Sequence, residues 1–197
     1  ELMYSSQKLG ELVVYHDPSL SRLSNSNAFI EQISLDSIKK VELIGGYFIP
    51  TLKEIVDIIP EKIFLNIELK GQDTSFETNK IITNYLKTNN FPISKFIISS
   101  FRWDELKKIR SINKDIPIAI LVDSLHKIND AIKLAKQINA FALNPNKNFI
   151  TREIVNNIQS NNIKVYPYTI NTPRNIRRVR SMGVDAIITD YPERIKR

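Results

Sequence analysis

Residues 95–122 read KFIISSFRWDELKKIRSINKDIPIAILV and combine two apolar runs with a helical pattern between them. The stretch opens with Lys95–Ser100, an apolar and β-branched run of strand length. Apolar residues then recur at helical spacing from Leu106 to Ile112, and Pro117–Val122 forms a second apolar run. Continuous apolar runs separated by an amphipathic helix are typical of parallel strands that are covered on both faces. The stretch therefore predicts a β-α-β unit.

The same alternation extends over the rest of the chain. Further strands are predicted at Leu12–His16, Ile63–Leu69, Ala140–Leu143, Lys164–Thr169 and Ala186–Thr189. Further helices are predicted at Phe76–Asn89, 128–138, 154–158 and from Thr172-Pro173 to Gly183, where threonine is a typical cap and proline a typical first residue. Repeated β-then-α units predict a parallel sheet with helices outside it.

Glycine content distinguishes the two common parallel architectures. A doubly wound sheet carries a glycine-rich phosphate loop after its first strand, but the chain has five glycines and neither G-x-G-x-x-G nor a P-loop. We therefore predict an α/β fold of the TIM type, a (β/α)8 barrel. A complete barrel typically takes ~250 residues, whereas the chain has 197. We expect a single barrel domain over residues 1–197 that is incomplete at the N-terminus, with the first βα unit missing.

Composition excludes several classes of protein. The 28 Lys and Arg residues against 21 Asp and Glu residues give a formal net charge of +7, and 42% of residues are hydrophobic. Global disorder is excluded, and the absence of cysteine excludes a disulfide framework, a zinc ribbon and a thiol nucleophile. Two histidines are too few for a His-rich metal site. Arg174, Arg177 and Arg178 share one helix face, which we interpret as solvated surface and not as a nucleic-acid footprint.

The distribution of apolar residues bears on location. No apolar run approaches the ~18 residues of a membrane-spanning helix, and no signal sequence is visible. We therefore expect no transmembrane segment and a cytoplasmic location. Because the chain starts with Glu1 and not with Met, we also expect it to be a processed or truncated piece.

Polar residues follow the predicted strands, where a parallel barrel carries its reactive side chains. His16-Asp17 ends the first predicted strand, and Glu68 and Lys70 end the next. Their two-residue spacing places Glu68 and Lys70 on one strand face, where a carboxylate suits a cation and an ammonium suits a phosphate oxygen. The structural alternatives are a buried salt bridge for this pair and a hydrogen-bonded structural histidine for His16.

Six short motifs follow one another along the chain. They are Gly10-Glu-Leu-Val-Val-Tyr-His-Asp17, Ile49-Pro-Thr-Leu52, Asn66-Ile-Glu-Leu-Lys70, Ile98-Ser-Ser-Phe101, Tyr168-Thr-Ile-Asn171 and Gly183-Val-Asp-Ala-Ile-Ile-Thr-Asp190. In their order and approximate spacing, over residues 1–195, these motifs resemble those of the glycerophosphodiester phosphodiesterase family.

The resemblance implies a TIM-type barrel that hydrolyses glycerophosphodiesters, which are small molecules, to glycerol phosphate and an alcohol. It also implies a divalent cation, Mg²⁺ or Ca²⁺. Carried over by position, His16 is the acid/base residue, Glu1 and Glu68 are metal ligands, and Lys70 contacts the phosphate. The same comparison gives substrate-binding positions to Tyr168, at the barrel mouth, and to Asn171, for which capping of the following helix is the alternative.

Two departures from the family pattern concern the first strands. Met3 stands where the resemblance implies a metal-binding Asp, and a thioether is a poor ligand for Mg²⁺ or Ca²⁺. The first strand, with its His-Arg pair, would lie upstream of Glu1. These departures leave three functions open: a phosphodiesterase, a catalytically inactive barrel that binds a phospholipid headgroup or a protein partner, and a phospholipase D-like enzyme of the same barrel type.

Overall fold

The computed structural model describes residues 11–60, 62–89 and 91–195, together with the backbone of residues 2–5. The strands are β1 Leu2–Ser5, β2 Leu12–Val14, β3 Glu42–Leu43, β4 Tyr47–Phe48, β5 Leu65–Leu69, β6 Phe96–Ser100, β7 Ile118–Val122, β8 Ala142–Pro145 and β9 Lys164–Val165. The α-helices are α1 Leu35–Lys39, α2 Leu52–Ile58, α3 Thr74–Thr88, α4 Trp103–Ile112, α5 Ile128–Gln137, α6 Arg152–Gln159 and α7 Pro173–Ser181. Short 3₁₀ turns lie at Leu20–Arg22, Ile30–Gln32, Ile93–Lys95, Leu125–Lys127 and Pro192–Arg194.

Residues 1–117 form one of two compact units. Its sheet has the strand order β2-β1-β5-β6, with β1 antiparallel to β2 and parallel to β5. Strands β5 and β6 are parallel, with Glu68 beside Ser99. On β5, Ile67 and Leu69 are buried, so the apolar side chains of this strand alternate with Asn66 and Glu68 on its other face.

A segment between β2 and α2, residues 17–51, has its own small core. Buried residues in β2, directly after it and in this segment pack together: Val13, Tyr15, Leu20, Ile30, Ile38 and Ile49. The segment also contains the β3–β4 hairpin, whose turn uses Gly45 and Gly46 at φ values of 91° and 79°, a backbone region that favours glycine. The sequence patterns did not predict these elements.

Residues 118–197 form the second compact unit. Here β7, β8 and β9 are parallel neighbours, and all five residues of β7 are buried. Thr172 caps α7 and Pro173 is its first residue, as the sequence predicts. The predicted strand over Ala186–Thr189 is not a regular strand, although Ile188 exchanges backbone hydrogen bonds with Ile170 and Pro167.

One surface prediction needs a correction. Arg174 and Arg177 are exposed on α7, but Arg178 is half-buried and donates to the carbonyl oxygens of Ile150 and Lys147 at 3.4 and 3.0 Å. Arg178 therefore holds the loop before α6 instead of facing solvent. Within the described part of the chain, no helix combines the length and the apolar composition that crossing a membrane requires.

Candidate active site

Glu68 is a carboxylate inside the first unit. Its Oε1 atom is buried and has no hydrogen-bond partner among the described residues. Burial raises the pKa of the Glu68 carboxyl above its usual range, and the positive charges of Lys70 and His16 only partly oppose this shift. Such a carboxylate is kept in a costly environment unless a ligand compensates it.

Lys70 joins the ends of two strands. It follows β5, and its Nζ atom donates a hydrogen bond to the backbone carbonyl oxygen of His16 at 3.0 Å. Burial lowers the pKa of the Lys70 ammonium, while Glu68 and Asp17 act in the opposite direction. No ion pair joins Glu68 to Lys70 among the described contacts, so the salt-bridge alternative is not what the structure shows.

His16 is held from one side by its neighbour. Its Nδ1 atom lies 2.5 Å from Oδ1 of Asp17, and 63% of its side chain is exposed. The other carboxylate oxygen of Asp17 accepts a hydrogen bond from Nε of Arg22. The hydrogen bonds from Arg22 and then His16 lower the pKa of Asp17. The imidazole is thereby held through Nδ1.

Arg22 was not identified from the sequence, and Ser99 was noted only as part of the motif Ile98-Ser-Ser-Phe101, without a role in the site. Arg22 lies in the 3₁₀ turn that follows His16-Asp17, and its spacing of five residues from Asp17 is the only local signal for the contact. The Ser99 hydroxyl is buried beside Glu68 and has no hydrogen-bond partner among the described residues. A serine at the end of an apolar strand carries no signal for such an environment.

Tyr168 and Asn171 belong to the second unit. The Tyr168 hydroxyl donates to the carbonyl oxygen of Val122 at 3.2 Å. The Asn171 side chain donates to Asp190 at 2.7 Å and accepts from the Asp190 backbone at 3.0 Å. The cap of α7 is Thr172, so the capping alternative for Asn171 does not hold. A substrate-binding role of Tyr168 and Asn171 stays a prediction.

The predicted metal ligands are only partly described. Glu1 lies outside the described residues, and the backbone of Met3 lies beside Leu69 and Val14. Among the residues that are described, no group of three or more His, Asp and Glu side chains could hold a metal ion. Oε1 of Glu68 and the hydroxyl of Ser99 are nevertheless hard oxygen donors for which the described residues supply no partner, and such donors fit Mg²⁺ or Ca²⁺ in kind.

The sequence profile of the glycerophosphoryl diester phosphodiesterase family matches residues 8–194. This chain belongs to that family. The family resemblance seen in the motifs is thereby confirmed, and the family consists of phosphoric diester hydrolases.

Individual members of the glycerophosphoryl diester phosphodiesterase family show the same relationship. A glycerophosphodiester phosphodiesterase of Caldanaerobacter subterraneus subsp. tengcongensis is 31% identical over 202 residues, which cover 98% of this chain and 82% of the relative. A Bacillus subtilis protein of the same name is 25% identical over 221 residues, which cover 98% of this chain and 73% of the relative.

Solved structures show the fold. An Oleispira antarctica phosphodiesterase in complex with the product sn-glycerol-3-phosphate superimposes with a TM-score of 0.85 at 24% identity, over 98% of this chain and 81% of the other. A Parabacteroides distasonis glycerophosphodiester phosphodiesterase gives 0.79 at 21% identity, over 98% and 79%. The fold class is therefore α/β of the TIM-barrel type, as the sequence predicts. The absence of a first βα unit stays a prediction.

Proposed function

We propose that this chain hydrolyses glycerophosphodiesters to glycerol phosphate and an alcohol. The relatives named above carry this activity in their names, and the Oleispira enzyme holds glycerol 3-phosphate. The observation that carries the proposal is the cluster at the ends of β2 and β5. There, Lys70 bonds the backbone of His16, and His16 is paired with Asp17.

The chemistry assigns each side chain a task. Hydrolysis breaks one P–O bond, adds the oxygen of water to phosphorus and gives a proton to the departing alkoxide. His16 moves a proton at Nε2, since Asp17 holds Nδ1. The Lys70 ammonium stabilises the negative charge of the phosphate.

The remaining predicted residues complete the proposal. Glu68 and Glu1 would hold the divalent cation, which would supply Lewis-acid stabilisation of the phosphate. Tyr168 packs against the apolar part of the substrate, and Asn171 is a further substrate-binding residue. The substrate is a small molecule and not a nucleic acid, and a cytoplasmic location stays part of this proposal.

The first prediction uses the two histidines as a matched pair. We expect His16→Ala to lower kcat for glycerophosphocholine hydrolysis by ~10²-fold or more, because general acid/base catalysis contributes about 10²–10⁴-fold. His126→Ala is the control, since His126 is exposed in the 3₁₀ turn before α5, and it should leave the rate unchanged. Release of glycerol phosphate, followed in Mg²⁺ and in Ca²⁺, measures both variants.

The outcomes separate the functions that the sequence left open. Hydrolysis of glycerophosphocholine by the wild-type chain and its loss in His16→Ala support the proposal. Binding of glycerophosphocholine without turnover would favour an inactive binding barrel, the function to which Met3 in place of Asp points. Turnover confined to lysophosphatidylcholine in micelles would favour the phospholipase D-like enzyme. Equal rates for the two histidine variants would contradict the role of His16.

A further inference from the structure

Two neighbouring strands each present a buried oxygen without a partner. Oε1 of Glu68 on β5 and Oγ of Ser99 on β6 have no hydrogen-bond partner within the described part of the chain, and the two residues lie side by side in the parallel register. Register partners on parallel strands share a face. Because most buried polar atoms in proteins are hydrogen-bonded, two adjacent exceptions on one face indicate that something else satisfies them.

The next residue of β6, Ser100, has a buried hydroxyl that does find hydrogen-bond partners. Ser100 is fully buried; its Oγ donates to the carbonyl oxygen of Leu69 at 2.5 Å and accepts from the backbone N–H of Arg102 at 2.8 Å. Ser99 is only 1% exposed, yet its hydroxyl has no hydrogen-bond partner among the described residues. The two adjacent serines therefore differ. The Ser100 hydroxyl is used in hydrogen bonds to the backbone, whereas the Ser99 hydroxyl is available to a ligand.

We propose that the Ser99 hydroxyl is part of the divalent-cation site and holds the ion together with Glu68, directly or through one of the ion's water molecules. This inference rests on the proposed function and adds a ligand to the same site. Carboxylate and hydroxyl oxygens suit a hard cation. A neutral hydroxyl adds a ligand oxygen without adding charge.

Lys70 supports this assignment. An ammonium paired with Glu68 would compete with a cation for the carboxylate. Instead, the Lys70 ammonium bonds the His16 carbonyl oxygen, and Glu68 keeps an oxygen without a partner. Lys70 is two residues further along the strand, ~6.6 Å at the usual rise, so it belongs to the next layer towards the strand ends.

The experiment compares the adjacent serines in the chain of 197 residues. Mn²⁺ is titrated calorimetrically into wild type, Ser99→Ala, Ser100→Ala and Glu68→Gln, and thermal unfolding is recorded without metal. Glu68→Gln identifies the heat that belongs to this site. We expect Ser99→Ala to weaken Mn²⁺ binding by about tenfold, within the usual range for residues that support a metal site. We expect Ser100→Ala to leave the affinity within about twofold, since it lies on the other strand face.

The loss of thermal stability should be larger in Ser100→Ala than in Ser99→Ala, the reverse of the order for the loss of Mn²⁺ affinity. Without metal, Ser99→Ala should unfold at the wild-type temperature or above it, because it removes a buried hydroxyl that has no partner in the described part of the chain. Ser100→Ala should unfold about 4 °C lower or more, because two buried hydrogen bonds are lost.

Three results would overturn the inference. They are wild-type Mn²⁺ affinity in Ser99→Ala, a loss of stability in Ser99→Ala that equals the loss in Ser100→Ala, and no Mn²⁺ binding by the wild-type chain. Failure of the proposed function looks different: Mn²⁺ binds in a Ser99-dependent manner while glycerophosphocholine is not hydrolysed.

Discussion

Arg22 shows how a single exposed side chain can act on the candidate site. It does not belong to the predicted site residues, but it bonds one oxygen of Asp17 while His16 bonds the other. Its turn is anchored by Leu20, which is fully buried, and is capped by Ser19. Arg22 therefore positions the imidazole through Asp17.

A second prediction follows for Arg22. If His16 acts as proposed, Arg22→Gln should lower kcat by about tenfold with little change in KM, because Asp17 is freed and the imidazole loses its fixed orientation. Arg22→Lys should keep part of the rate. Steady-state kinetics measure both, and Arg177→Gln on the exposed face of α7 is the control. A kcat equal to that of wild type would show that the contact has no part in catalysis.

Glu105 determines how the longest helix of the first unit begins. Helix α3 has no side-chain cap from its own sequence, and Asp73 before it has a φ of 56°. The fully buried Glu105 side chain of α4 accepts hydrogen bonds from the backbone N–H groups of Asp73 and Ser75 at 2.8 and 3.0 Å. Its Oε1 also accepts from Lys108 at 2.9 Å. Burial raises the pKa of Glu105, but these hydrogen bonds outweigh it and the net shift is downward.

A third prediction tests this cap. Glu105→Gln should lower the free energy of unfolding at pH 7 by about 1.5–3 kcal/mol, the usual worth of hydrogen bonds to a charged group. Since the folded-state pKa is depressed, the stability that Glu105 contributes is present above its unfolded value, ~4.3, and is lost as the pH falls through the folded value. Urea unfolding at several pH values measures the difference, with exposed Glu153→Gln as control. A difference that does not shrink in acid would contradict a charged cap.

Regular elements were predictable from the sequence where one periodic pattern dominates. The strands of β5, β6 and β7 and the start of α7 follow from apolar runs and from Thr172-Pro173. Residues 17–51 were not predictable, because serine-rich 3₁₀ turns and two-residue strands have no periodicity to detect.

The candidate site was predictable only within single strands. The common face of Glu68 and Lys70 follows from their spacing. The bond from Lys70 to the His16 carbonyl joins residues 54 positions apart, and no local pattern contains it. The environment of Ser99 likewise depends on the neighbouring strand, which the sequence does not name.

The whole chain is predicted to be one domain, while its internal contacts group residues 1–117 and 118–197 into two compact units. The fully buried strand β7 is typical of a parallel sheet covered on both faces. Strand β8 has a parallel neighbour on each side, β7 and β9. The single domain over residues 1–197 stays a prediction.

A fourth prediction tests the single domain. Fluorescence of Trp103, the one tryptophan of the sequence, reports on the first unit, and hydrogen exchange of the β7 amides reports on the second. Both should give the same urea midpoint, because a single domain unfolds in one cooperative transition. Midpoints that differ by more than the error of the fits would show two separately folding units.

The segment of residues 17–51 leaves the sheet and returns to the same place. Val14 donates to the carbonyl oxygen of Pro50 at 2.8 Å, and Val13 forms an isolated bridge with Thr51. Its entry and exit therefore touch, and its interior is filled mainly by its own apolar side chains. Segments whose ends meet can be exchanged with little effect on the scaffold that carries them. For protein engineering, residues 17–51 can therefore be exchanged as a unit. Grafting a different segment would replace the surroundings of His16 and leave β2 and α2 as they are.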